Sequence, residues 1–207
     1  MSEQNYKILP RDVEQGEFHQ AIEKFRALLG DENVLVEEAQ LKPYNKIMMP
    51  SEDAEHAPSA AVTATTVEQV QGVVKICNEH KIPVWTVSTG RNFGYGSTAP
   101  HHRGQIILDL KKMNKIIHVD AELGTALVEP GVTYQQLYDY LQENNLPLML
   151  SFSAPSAIAG PLGNTMDRGV GYTPYGEHFL MQCGMELVLA NGEVYRTGMG
   201  GVEGDNA

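Results

Sequence analysis

Apolar positions along this chain change their period several times, and each change predicts an element. Over residues 17–29, Phe18, Ile22, Phe25, Leu28 and Leu29 recur at three- and four-residue steps. That is the spacing of an amphipathic helix, with Gly30 placed to close it. Val34-Leu35-Val36 suggests a short strand. Residues 39–59 carry Pro43, Pro50 and Pro58 with Met48 and Met49 between them, which predicts an extended surface loop or a loop covering a ligand. Residues 61–63 read as a strand, and Thr65-Thr66-Val67-Glu68-Gln69 as a capping box opening a second helix. Val67, Val70, Val73, Val74 and Cys77 line one face of that helix, with His80 and Lys81 in its last turn. A strand at 84–87 follows. Strand, helix and strand make a βαβ unit, so the two strands are expected to be parallel neighbours.

Three more strands are expected at 106–110, 116–119 and 125–129. Thr133, with Gln136 three residues on, then caps a helix whose stripe is Leu137, Tyr140 and Leu141, ending near Asn144 and Asn145. Leu148, Met149 and Leu150 form a short apolar run. Asn191-Gly192 between the strand-like runs 185–190 and 193–196 is a strong hairpin signal. Residues 199–207 complete no element, and the ending is expected to be a truncation.

Two stretches do not follow this alternation. The first, 83–100, begins as an apolar strand and breaks into a loop with Gly90, Gly94 and Gly96, together with Ser88, Thr89, Ser97 and Arg91. Residues without a Cβ let successive N–H groups turn inward and make a nest for an anion such as a pyrophosphate. The alternative is an ordinary glycine-rich connection. No Gly-Lys-Ser/Thr follows, and no helix opens after the last glycine, so neither a Walker A loop nor a Rossmann fingerprint is present. Its position at the carboxyl end of a strand is where α/β sheets usually bind ligands. The second stretch, 151–176, holds Gly160, Gly163, Gly169, Gly171 and Gly176 among small and polar residues. Such a segment is a flexible loop or a place where backbone closely approaches a ligand; Asn164, Thr165, Asp167, Arg168, Tyr172 and Tyr175 favour the latter.

Composition narrows the function classes. With 207 residues, 42% of them hydrophobic and 20% charged, the chain has material for one large or two small globular domains. A net charge of −11 and a pI near 5.0 argue against nucleic-acid or anionic-membrane surfaces. An anionic ligand would depend on local backbone donors. Cys77 and Cys183 have no metal-like spacing and are expected to be two buried free thiols. His101 and His102 are expected to be a solvated pair; His178, beside Glu177, could sit near a ligand in the second glycine-rich stretch, with a surface acid and base as the preferred reading; no metal site is expected. The N-terminus shows no signal peptide, and no 18-residue apolar run exists, so export by a signal of the chain's own is not expected.

Three blocks, in order, carry a resemblance: Ser88-Thr-Gly-Arg-Asn-Phe-Gly-Tyr-Gly-Ser97, Gly163-Asn-Thr-Met-Asp-Arg-Gly-Val-Gly-Tyr-Thr-Pro-Tyr-Gly176, and Gly184-Met-Glu-Leu-Val-Leu-Ala-Asn-Gly192. Over its whole length the chain resembles the FAD-binding domain of the vanillyl-alcohol oxidase and p-cresol methylhydroxylase flavoprotein family. The resemblance implies an α+β fold of two subdomains with FAD extended between them. It divides the chain into an N-terminal helix and extended loop, 1–56, and an FAD-binding domain, 57–207, ending before a substrate-binding cap domain. Implied FAD contacts are Ser88, Thr89, Gly90, Arg91, Asn92, Phe93, Gly94 and Gly96 at the pyrophosphate. Ser151, Ser156, Gly160, Gly163, Asn164 and Gly171 belong to a second cofactor-lining stretch, and Glu186 and Val188 to the adenine side. Tyr95 matches the family's tyrosine that helps bind the substrate phenolate.

The implied activity is oxidation and hydroxylation of the benzylic carbon of 4-alkylphenols through a quinone methide. FAD supplies the redox chemistry. The implied partners are the 4-alkylphenol substrate, a c-type cytochrome subunit as electron acceptor, and a second flavoprotein subunit in a homodimer. Family members continue into a part that holds the remaining phenolate-binding residues, so this chain alone should lack a complete active site. Two alternatives stay open: an FAD-dependent alcohol oxidase of the vanillyl-alcohol oxidase or eugenol hydroxylase kind, and a non-catalytic nucleotide-binding fragment.

Overall fold

The most apolar runs become the centre of a sheet. The computed structural model describes residues 5–47, 50–92, 98–153 and 156–198. The chain divides into two compact units, one of Met1–Val87, Asn92–Leu110 and Val188–Glu193, the other of Ser88–Arg91, Lys111–Leu187 and Val194–Ala207.

In the first unit, helix α1 spans Gln15–Leu29 and buries Phe18, Ala21, Ile22, Phe25 and Leu29. Gly30 ends it at φ 87°, its N–H bonded to the Arg26 carbonyl, a backbone conformation glycine adopts without penalty. Strand β1 is Val34–Leu35. The extended loop expected over 39–59 is instead locally wound. Helix α2, Glu38–Leu41, is started by a capping box between Glu37 and Gln40, and 3-10 turns follow at Lys42–Tyr44 and Asp53–His56. Pro43 sits in the first positions of its turn, where a missing N–H costs nothing. Met48 and Met49 lie outside the described residues.

Strand β2, Ala60–Thr63, leads into helix α3, Val67–Glu79, and then into strand β3, Val84–Val87. Thr66 caps α3 by accepting the Gln69 N–H, while the Gln69 amide oxygen receives both the N–H and the hydroxyl of Thr65. Strand β4 is Ile106–Asp109. The sheet order is β1-β2-β4-β3, with β1 antiparallel to β2 and the other pairs parallel. The expected neighbours β2 and β3 are therefore parallel but separated by β4. The central strands β2 and β4 are buried at every position, as a strand covered on both faces must be. On one face Ala61, Val87 and Ile107 pack with Leu41 and Tyr44. Elsewhere α1 packs on α3, so closely at Gly72 that a Cβ there would meet Leu28 Cδ2 at 2.6 Å.

In the second unit, β5, Ile116–Asp120, and β6, Thr125–Val128, form an antiparallel pair. Helix α4, Tyr134–Glu143, carries the expected Thr133–Gln136 capping box and buries Tyr134, Leu137 and Leu141. Helix α5, Pro161–Met166, lies inside the second glycine-rich stretch, where no helix was expected. Strands β7, Glu186–Val188, and β8, Val194–Arg196, form the last two-stranded sheet. Its turn closes through Gly192 N–H to the Leu189 carbonyl, with Gly192 at φ 83°. Within the first unit this turn is held on α3 by Gln71 donating to the Gly192 carbonyl and Asn78 to that of Ala190.

Candidate functional site

The glycine loop leaves the sheet at the carboxyl end of β3. Ser88, Thr89 and Gly90 follow Val87 directly, all half-buried, and Gly90 has φ 65°, which a β-branched residue resists. Ser88 and Thr89 belong to the second unit, and there the two glycine-rich stretches meet. A Cβ on Gly163 would stand 2.6 Å from Ser88 Oγ. One on Gly160 would stand 2.9 Å from the Val132 carbonyl oxygen and 3.0 Å from Thr89 Cγ2. The glycines of α5 are thus positions where the helix backbone lies directly against the loop, with no space for a side chain.

The rest of the second stretch is held by polar contacts. Ala159 and Ala157 accept the N–H groups of Tyr134 and Gln135, so the first amides of α4 are taken by protein carbonyls. Asn164 of α5 donates through Nδ2 to the Ser153 carbonyl at 2.7 Å, and its Oδ1 lies 2.5 Å from His178 Nδ1. His178 Nε2 lies 3.2 Å from Ser151 Oγ, which is 2.9 Å from Thr173 Oγ1. The Ser153 hydroxyl donates to the Val170 carbonyl. A Cβ on Gly171 would approach Ser151 Oγ at 2.9 Å and His178 Nε2 at 3.1 Å. His178 is consequently not the surface base expected from its charged neighbour Glu177: it is 6% exposed and lies under the segment. Its place in the glycine-rich segment was the available signal, but the partners that bury it, Ser151 and Asn164, are distant in sequence.

The remaining expected site residues are distributed more widely. Arg91 is exposed, and Asn92, half-buried, belongs to the first unit. Phe93, Gly94, Tyr95 and Gly96 lie outside the described residues. Ser156 is exposed and its carbonyl accepts the Ala159 N–H. Glu186 on β7 pairs with Arg196 on β8 at 2.8 Å, and Val188 is half-buried at the end of β7. Ser88, Thr89, Gly160 and Gly163 therefore form one group, and Ser151, Asn164 and Gly171 join it through His178.

Several other groups bear on what this arrangement can do. His101 and His102 are exposed, their rings 4.2 Å apart, with His101 stacked 6.5 Å from Trp85. Among the described residues no three His, Cys, Asp or Glu side chains gather where a metal ion could be held. Cys183 is exposed, contrary to expectation, because its segment lies at the surface; Cys77 is buried on α3, and burial pushes its thiol up to about 12. Asp109, 2% exposed at the carboxyl end of β4, accepts a 2.6 Å hydrogen bond from Tyr44. Tyr44 was hidden in the proline-rich run and carried no signal of its own. Chemically, the grouped site offers hydroxyls, amides and bare backbone rather than a nucleophile with a base. Such a surface binds and orients a polar ligand.

The comparisons agree with that character. A family model described as an FAD-binding domain matches residues 58–198. The chain is 81% identical over 206 residues to the flavoprotein subunit of 4-cresol dehydrogenase (hydroxylating) from Pseudomonas putida, covering all of this chain and 40% of that protein. A crystal structure of p-cresol methylhydroxylase with substrate bound matches 96% of this chain and 39% of its own, with a TM-score of 0.94 at 81% identity. The 4-ethylphenol oxidase of Gulosibacter chungangensis, in complex with isoeugenol, matches 96% of this chain and 38% of its own, with a TM-score of 0.90 at 39% identity. The chain thus spans about two fifths of the length of these relatives. With the family model covering most of its residues, the chain belongs to the FAD-binding domain family.

Proposed function

We propose that this chain is the FAD-binding portion of a flavoprotein oxidoreductase acting on the benzylic carbon of 4-alkylphenols such as p-cresol, with residues 57–207 as the FAD-binding domain and 1–56 preceding it. The observation that carries the reading is the FAD-binding family model over residues 58–198, supported by the loop at the carboxyl end of β3, where the Ser88 and Thr89 hydroxyls and the positive φ of Gly90 suit a nest for a pyrophosphate. FAD, the cofactor of the family, fits that donor set, since Ser88-Thr-Gly-Arg91 contains no carboxylate to repel it and Gly90 supplies the positive φ of a nest. FAD held there would supply the hydride acceptor for oxidation of the benzylic carbon of the phenolate to a quinone methide, to which water would add to give the benzylic alcohol.

In this reading Ser88, Thr89, Gly90, Arg91, Asn92, Phe93, Gly94 and Gly96 hold the pyrophosphate. Ser151, Ser156, Gly160, Gly163, Asn164 and Gly171 line the cofactor further on, and Glu186 and Val188 flank the adenine. Tyr95 hydrogen-bonds the phenolic oxygen and so favours the phenolate, whose electron-rich ring releases the hydride. Electrons leave through a c-type cytochrome subunit, and the flavoprotein pairs as a homodimer. The cytochrome points to the periplasm. Among the described residues no helix is long and apolar enough to cross a membrane.

The test uses the full-length protein expressed with its cytochrome subunit. Flavin absorbance that bleaches on adding p-cresol is the expected result, and absence of both would overturn the reading. Tyr95→Phe should leave FAD bound while lowering turnover on the order of a hundredfold, since it removes only a hydroxyl at the reacting substrate. A second reading, an oxidase passing electrons to oxygen, is supported by the likeness to 4-ethylphenol oxidase. Hydrogen peroxide formed in step with substrate loss would decide for it.

A further inference from the structure

The contacts of His178 follow a direction. The Ser153 carbonyl can only accept, so Asn164 must present its amide nitrogen to it and its Oδ1 to His178. His178 Nδ1 is therefore a donor. Nε2 lies within hydrogen-bond distance of Ser151 Oγ, which in turn reaches Thr173 Oγ1. One buried ring thus joins the segment after α4, helix α5, and the loop at 173, all within the second unit. Gly171 stands where any side chain would push Ser151 and the ring apart. Asn164 lies one residue beyond Gly163, whose backbone abuts Ser88. The position of the ring consequently sets how closely α5 approaches the Ser88–Thr89 loop.

We propose that His178, donating from Nδ1, is a positioning residue for the cofactor-lining segment, fixing α5 through Asn164 and the neighbouring chain through Ser151. The proposal rests on the reading that α5 and the Ser88–Thr89 loop line FAD. It assigns His178 no contact with substrate or cofactor. The ring acts by holding the groups that do make such contacts, where displacement by about 1 Å can cost on the order of a hundredfold in rate.

The test has two arms, both in the full-length holoprotein. Imidazole nitrogen NMR should show His178 carrying a proton on Nδ1; a ring bare on Nδ1 overturns the tether. In the second arm, His178→Ala should lower kcat for p-cresol by roughly tenfold or more, change KM by less than about twofold, and alter the visible flavin band. His178→Asn keeps a donor near the Nδ1 position and should recover most of kcat, and Ser151→Ala should show a smaller loss. A lowered melting temperature with unchanged flavin band and kcat would mean a structural role only and overturns the proposal. If His178→Ala does not fold, Ser151→Ala decides it: a lowered kcat with an altered flavin band supports the tether, and an unchanged kcat and flavin band overturns it. A wild-type protein without a flavin band would instead overturn the FAD reading, and the Nδ1 proton alone would then decide the tether.

Discussion

The two units are stabilised by different means. In the first, strands β2 and β4 are buried at every position and face large side chains, with Phe18, Ile22 and Phe25 of α1 wholly removed from water. In the second, β5 and β6 are half-buried or exposed, and Met149, Tyr172, Tyr175 and Leu180 lie open to solvent. Its glycine-rich stretch is kept in place by bare backbone contacts and by the Thr173–Ser151–His178–Asn164 chain of hydrogen bonds. A core built from side chains is damaged by removing atoms; a segment packed backbone to backbone is damaged by adding them.

That contrast can be broken by substitution. Phe25→Ala should destabilise the protein by about 3–5 kcal/mol, whereas Leu180→Ala should change it by no more than about 0.5 kcal/mol. Equal shifts in urea midpoint for the two would abolish the distinction. Gly160→Ala should cost about 1–3 kcal/mol, because its methyl would press on the Val132 carbonyl, which belongs to the backbone and cannot swing aside. A neutral result there would mean that α5 can shift freely. An effect common to both units is a dependence on alkaline pH. Burial pushes the Cys77 thiol and the Tyr134 hydroxyl up to about 12, from ordinary values of 9.0 and 10.0. Both are neutral acids held neutral by the fold, so their stabilisation is intact below the unfolded values and lost as pH rises towards 12. Urea midpoints measured between about pH 8 and pH 11 should fall, and Cys77→Ser should flatten the lower part of the decline. In the same samples a thiol reagent should modify Cys183 in the native protein and Cys77 only after unfolding.

Helices α1, α3 and α4 were legible in advance because their apolar period and their caps lie within a single short window. Thr133 and Gln136 specify a start whatever surrounds them, and Gly30 a stop. The loop after β3 was equally legible, since a strand ending in Ser-Thr-Gly states its own exit. Helix α5 was not: six residues that include Gly163 and Pro161 have little helical propensity, and it is packing against Ser88 and Thr89 that favours the helix. The insertion of β4 between β2 and β3 was likewise invisible, because pairing partners in a parallel sheet are chosen by contacts across long stretches of chain.

The same division holds for the site. Composition and spacing along the chain identified both glycine-rich stretches, and glycine's missing Cβ explained why each could approach a ligand. Only folding could bring Gly160 and Gly163 against Ser88 and Thr89, bury His178 beneath them and leave Cys183 at the surface. Those outcomes depend on which distant residues compete for the same space and the same hydrogen bonds. Backbone period and capping act over a few residues, whereas exclusion of a Cβ by a neighbour exists only once that neighbour has arrived.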